Sequence, residues 1–163
     1  MESNKVENKL KLTESLSSII NQKQKKLLFV GIGNVLRSDD GVGVYICRNI
    51  KAINNIETLI VEVTIENYIK KINDLNPDVL ILVDCVNFNK KPGYSDLLPV
   101  EKIKDFTTNT HNISLKRISE FFKMKVLVLG IQPASLIFGE NLSRQVKESA
   151  DRIVRNINRI LSS

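Results

Sequence analysis

Val79-Leu-Ile-Leu-Val83 is an unbroken apolar run with an aspartate at each end, Asp78 and Asp84. A run of this kind reads as a central strand, buried on both faces of a parallel sheet. The rest of the chain supplies what such a strand needs. Leu27–Ile32 reads as a strand, and so do Thr58–Val63 and Lys125–Gly130. Between them lie segments of helical period. Gly41–Ile53 places Val42, Ile46, Ile50 and Ile53 on one face. Ile65–Leu75 is a short helix ended before Pro77. Ile113–Phe122 is a helix with Asn112 or Thr110 as its cap. Leu142–Leu161 is a long amphipathic helix with Val146, Ala150, Ile153, Ile157 and Ile160 on its core face. Tyr94–Leu98 reads as a short edge strand after the turn at Pro92-Gly93. The expected fold is α/β, a three-layer arrangement of about five mostly parallel strands with helices on both faces.

A length of 163 residues suits one such domain. Residues 1–25 are polar and rich in Lys, Asn and Ser. They read as an extension with one or two helical turns, frayed or serving as a docking segment, ahead of a single domain over 26–163. No apolar run is long enough to span a bilayer. The start lacks an apolar core followed by a small-residue cleavage site, so no secretory signal is expected. Cys47 and Cys85 make no disulfide framework and suit a reducing, cytoplasmic setting. The net charge of +6 comes largely from the first 26 residues and the outer face of the last helix. Without tryptophan or basic–aromatic alternation, it reads as a solvated surface and not as a nucleic-acid interface.

The polar residues of interest fall at the carboxyl ends of these strands, where open α/β sheets hold their ligands. Asp39 and Asp40 lie in the glycine-rich turn Gly31-Ile-Gly-Asn-Val-Leu-Arg-Ser-Asp-Asp-Gly41. Either acid can cap the following helix. The doublet allows Asp39 to cap while Asp40 faces a cleft. Asp84 reads as a turn former or as an acid at a ligand crevice. His111, the one histidine, is either a loop residue satisfied by Thr108, Thr110 and Asn112 or a ligand. Two carboxylates and an imidazole together suit a divalent ion such as Zn, Ni, Co or Mn, with positions left open. Strand alternation turns Cys85 away from Asp84 and into the core. Asn34 and Gln132 are neutral groups able to bind a peptide backbone or orient a carboxylate. A dinucleotide fingerprint fails, because its third glycine falls at Leu36. The two acids also oppose a pyrophosphate in that turn.

Four segments, taken in order, resemble the hydrogenase maturation endopeptidases. They are Gly-Ile-Gly-Asn-x-Leu-x-x-Asp-Asp-Gly-x-Gly, Leu-Ile-Leu-Val-Asp84, Thr-Thr-x-Thr-His111-Asn and Leu-Gly-Ile-Gln-Pro133. The last two look most like the branch serving formate-hydrogenlyase-type hydrogenases. The resemblance implies a hydrolase, a nickel-dependent or aspartic-type endopeptidase. It would remove the C-terminal extension of a [NiFe] hydrogenase large-subunit precursor once nickel is inserted. It also implies that Asp40, Asp84 and His111 contact nickel carried by the substrate, with Asp40 or Asp84 as the candidate catalytic base, and that no organic cofactor takes part. One departure concerns the loop after the second strand. The family commonly has Asp-Gly-Gly there, and this chain has Glu62-Val63-Thr64, although Glu66-Asn67 is similar to a Pro-Glu-Asn variant. Two other functions remain compatible with the residues: a nickel-checking chaperone that holds the large subunit without cutting it, and a small-molecule hydrolase or nucleotide binder.

Overall fold

The computed structural model describes residues 2–53, 55–104 and 114–163. A five-stranded sheet forms the middle layer, in the order β2-β1-β3-β5-β4. Its strands are β1 (Leu27–Ile32), β2 (Ile56–Glu62), β3 (Val79–Cys85), β4 (Ser95–Pro99) and β5 (Lys125–Ile131). All pairings are parallel except that of β4, which runs antiparallel to β5 at the edge. Every residue of β1 and β3 is buried.

Alternation along β3 divides the core into two parts. Val79, Ile81, Val83 and Cys85 pack with α1 (Glu2–Ile20), α2 (Val42–Asn49) and α5 (Arg144–Leu161). Leu80 and Leu82 pack on the other side, with α3 (Ile69–Leu75) and α4 (Leu115–Ser119). A strand covered on both faces has no polar side, which is why the run at 79–83 shows no alternation. The expected three-layer α/β architecture is the observed one.

Several local expectations need correction. The polar segment before β1 is not a frayed extension of one or two turns. It is a 19-residue helix, and its Leu12, Leu16 and Ile20 belong to the same buried cluster as Leu27 and Phe29. These three leucine and isoleucine residues recur every four positions, a stripe too narrow to stabilise a helix in isolation. Docking on α5 and β4 supplies the missing stability. Asn156 Nδ2 of α5 also donates to Thr13 Oγ1 at 3.0 Å. Leu16→Ala should therefore lower unfolding free energy by about 2–5 kcal/mol in urea titrations, since Leu16 is 1% exposed. A loss under a few tenths would mean that α1 is not part of the cooperative core.

Helix α2 stops at Asn49, four residues before the expected end. Asn158 of α5 ends it: its Nδ2 donates to Asn49 O, and its Oδ1 accepts the Lys51 N–H. Strand β3 continues through Asp84 and Cys85, so Asp84 lies within the ladder, opposite Gly130. Ser114 caps α4; its Oγ accepts the Arg117 N–H. Asn112, Thr110 and Ile113 lie outside the described residues, as do Thr108 and His111. Among the described residues, no helix is long and apolar enough to cross a membrane.

Candidate active site

Four strands run in one direction, so their carboxyl ends form one rim. The β1–α2 loop lies on it and folds back on itself. Asp40 sits in a 3-10 turn, Ser38–Gly41, and is fully buried. Its Oδ2 accepts the Asn34 N–H at 3.0 Å, while Asn34 Oδ1 accepts the Leu36 N–H at 2.9 Å. This reversal needs Gly33, whose φ is +136°. A Cβ there would lie 1.8 Å from the Asp40 carbonyl oxygen. Helix α2 begins after Gly41, with no side chain capping it. Neither acid is thus the helix cap that the sequence suggests.

Asp39 does something else. Also fully buried, it accepts four hydrogen bonds: from Ala134 N at 2.8 Å, Ser135 N at 3.0 Å, Ser143 N at 2.7 Å and Ser143 Oγ at 2.9 Å. Four donors converging on one carboxylate fix its orientation. It fastens the loop after β5 to the loop after β1. Ser143 is also the residue that precedes α5. A serine ahead of a long amphipathic helix is legible as a helix start. Its partner, 104 residues away, is not.

Asp84 is 2% exposed. Its Oδ1 accepts the Cys85 N–H at 2.8 Å. Alternation along β3 puts it on the sheet face of α3 and α4, and Cys85 on the opposite face, buried in the core as expected. Burial raises the Cys47 thiol pKa far above its usual range, so that thiol is protonated and inert. The turn bearing Asp40 packs against β3. The contact is close because of Gly43, where a Cβ would lie 2.0 Å from Val83 O and 2.5 Å from Ile32 O. The structure thus brings Asp40 and Asp84 to adjoining elements of one rim. His111 lies outside the described residues, and among those residues no group of three His, Cys, Asp or Glu side chains could hold a metal ion.

Beyond Asp84 the chain forms a cleft of about 210 Å³ lined by Val86 to Asn89, Leu98 and Lys102 to Lys104. Lys104 is the last described residue before the segment containing His111. Gln132 braces the loop that lines this cleft. Its Oε1 accepts the Phe88 and Lys90 N–H groups at 2.7 and 3.3 Å, and its Nε2 donates to Asn87 Oδ1 at 3.2 Å. Gly130 leaves room for the Phe88 ring, since a Cβ there would sit 2.6 Å from Phe88 Cζ. Phe88 and Asn87 are parts of the rim that the sequence reading did not single out. A larger hollow of about 440 Å³ lies along α3. Its far end lies away from the rim, where Leu75 O accepts from Lys26 Nζ at the start of β1.

Comparison with known proteins agrees with this architecture. A solved [NiFe] hydrogenase maturation protease, HycI from Thermococcus kodakarensis, superposes with a TM-score of 0.74 at 26% identity, over 85% of this chain and 94% of that one. The solution structure of the endopeptidase HycI from Escherichia coli gives 0.70 at 23% identity, over 82% and 89%. The hydrogenase maturating endopeptidase HybD from Escherichia coli gives 0.66 at 20% identity, over 84% and 90%. The last two show likeness of fold. The sequence profile of the hydrogenase maturation proteases matches residues 43–160. With that match over most of its length, this chain belongs to the hydrogenase maturation protease family.

Proposed function

We propose that this protein is an endopeptidase that removes the C-terminal extension of a [NiFe] hydrogenase large-subunit precursor, and that it does so only after nickel has been inserted. The observation that carries this reading is the placement of two buried carboxylates, Asp40 and Asp84, on adjoining elements of one sheet rim. Buried acids away from bulk water favour a doubly charged partner. Oxygen donors joined by one imidazole suit nickel delivered by another polypeptide. In this reading His111 supplies the imidazole, and the nickel is cargo of the substrate, not a resident cofactor.

The chemistry asked of the protein is amide hydrolysis. The ion fixes the substrate, so that the scissile carbonyl lies near the rim. One carboxylate, Asp40 or Asp84, takes a proton from the attacking water. The two together could share that water as an aspartic dyad does. The resemblance of the Thr-His-Asn and Gly-Ile-Gln-Pro segments favours a formate-hydrogenlyase-type substrate. Buried thiols at Cys47 and Cys85 suit a reducing cytoplasm.

The test is to incubate the protein with large-subunit precursors, loaded with nickel or free of it, and to follow intact mass. The expected result is a shortened large subunit plus a released C-terminal peptide, from loaded precursor alone. A stoichiometric complex without any mass change would establish a non-cleaving, nickel-checking chaperone in its place. Cleavage that ignores nickel would remove the metal-recognition role of Asp40, Asp84 and His111.

A further inference from the structure

Seven large hydrophobic residues are exposed among the described ones, and three of them lie together beside the candidate site: Leu36 at 45%, Ile137 at 72% and Phe138 at 83% exposure. They stand on two loops whose backbones run side by side. Gly139 N donates to Leu36 O at 2.9 Å, and Ser38 N donates to Gly139 O at 2.7 Å. Ser38 Oγ donates to Ile137 O at 2.9 Å, and Arg37 bridges to Gly139 in parallel. Asp39 then ties the same two loops with its four carboxylate bonds. Asp40 follows directly. These apolar side chains are therefore held out from the surface on a rigid mount, at a fixed offset from the carboxylate of the site.

We infer that Leu36, Ile137 and Phe138 form a docking ledge for the protein substrate, an apolar surface of the precursor's folded body. The inference rests on the proposed endopeptidase reading and goes beyond it, because it separates grip from metal recognition. The ledge is continuous with the loop that carries Asp40, so a polypeptide seated on it has its bound ion and scissile bond delivered to one place. A second copy of this chain on the ledge would cover the loop through which the substrate must arrive. Aromatic side chains such as Phe138 are enriched at protein interfaces, a few residues carry most of the binding energy there, and a rigid mount keeps the ordering cost of binding low.

The experiment compares the native protein with the double variant Ile137→Ser/Phe138→Ser and with Val6→Ser/Leu10→Ser, another exposed apolar pair, on α1. Steady-state cleavage of nickel-loaded precursor gives KM and kcat, and interferometry gives the affinity. The ledge variant should raise KM and weaken affinity by about 30-fold or more, with a much smaller change in kcat. Phe138→Leu should recover most of the loss, and the α1 pair should match the native protein. Thermal midpoints confirm that each variant is folded, and Phe138→Ser alone replaces the double variant if that one is not. Native cleavage with KM and affinity unchanged in the ledge variant overturns the ledge and leaves the peptidase intact. An effect on kcat alone, or an equal effect of the α1 pair, also overturns it. Failure of the native protein to bind or cut any loaded precursor overturns the peptidase reading, and the ledge with it.

Discussion

Asp84→Asn should abolish processing of nickel-loaded precursor while leaving the protein folded. The substitution keeps shape almost unchanged. An asparagine Oδ1 can still accept the Cys85 N–H that Asp84 Oδ1 accepts at 2.8 Å, so the local backbone bond survives. The negative charge is what goes, together with the capacity to act as a base. Loss of a general base alone costs about 10²–10⁴-fold in rate, and loss of an anionic ligand to the substrate's ion adds to it. Asp40→Asn should behave in the same way, since an amide oxygen can still accept the Asn34 N–H. Initial rates from intact-mass measurements, beside thermal midpoints, read out both variants. A folded Asp84→Asn or Asp40→Asn protein that processes at the native rate would strike that residue from the mechanism.

Gly43→Ala should be among the most damaging single methyl additions in the fold. Its Cβ would meet Val83 O at 2.0 Å and Ile32 O at 2.5 Å. Both are backbone atoms of neighbouring interior strands, β1 and β3, so no side-chain rotation relieves the clash. Helix α2 must lift away, and with it goes the packing of Val42, Val44 and Ile46, all fully buried. We expect a loss above about 3 kcal/mol, at the upper end for overpacking. The melting point should fall by roughly 6–12 °C for a chain of this size. Gly139→Ala is the matched control. Its Cβ would approach only the Ser38 hydroxyl, at 3.1 Å, and a side-chain oxygen can yield where a strand carbonyl cannot. Equal melting points for the two variants would show that α2 is not seated on the sheet as described. The Gly43 variant should also lose activity in its folded fraction, because the turn bearing Asp40 leads directly into α2.

What short stretches of this chain encode, and what they do not, follows from the range of the forces involved. Strand β1 carries its pattern within six residues, and its observed limits, Leu27–Ile32, are those expected. The edge strand after Pro92-Gly93 and the long last helix were legible for the same reason. Helix α1 was not, because its three core residues are diluted by polar neighbours and are stable only once α5 and β4 lie beneath them. The end of α2 was equally hidden, being set by Asn158 from the far end of the chain. Cys85 was placed correctly by alternation alone, since a strand's two faces are local geometry.

At the site the same division holds. Order and spacing of the glycine turn, the acid after an apolar run and the Thr-His-Asn segment carried the family. These are contiguous, and their chemistry is written in residue types. The acid doublet shows where that ends. Two adjacent aspartates look alike in a sequence, and one was expected to cap α2. Only the tertiary structure separates them. Asp39 accepts bonds from a loop about a hundred residues away and is consumed in holding it, while Asp40 turns back on its own loop beside the strand of Asp84. Periodicity and composition determined the layers, because burial is a property of each short segment. Which acid holds the loop after β5 was decided by hydrogen bonds between segments that meet only when the sheet has formed.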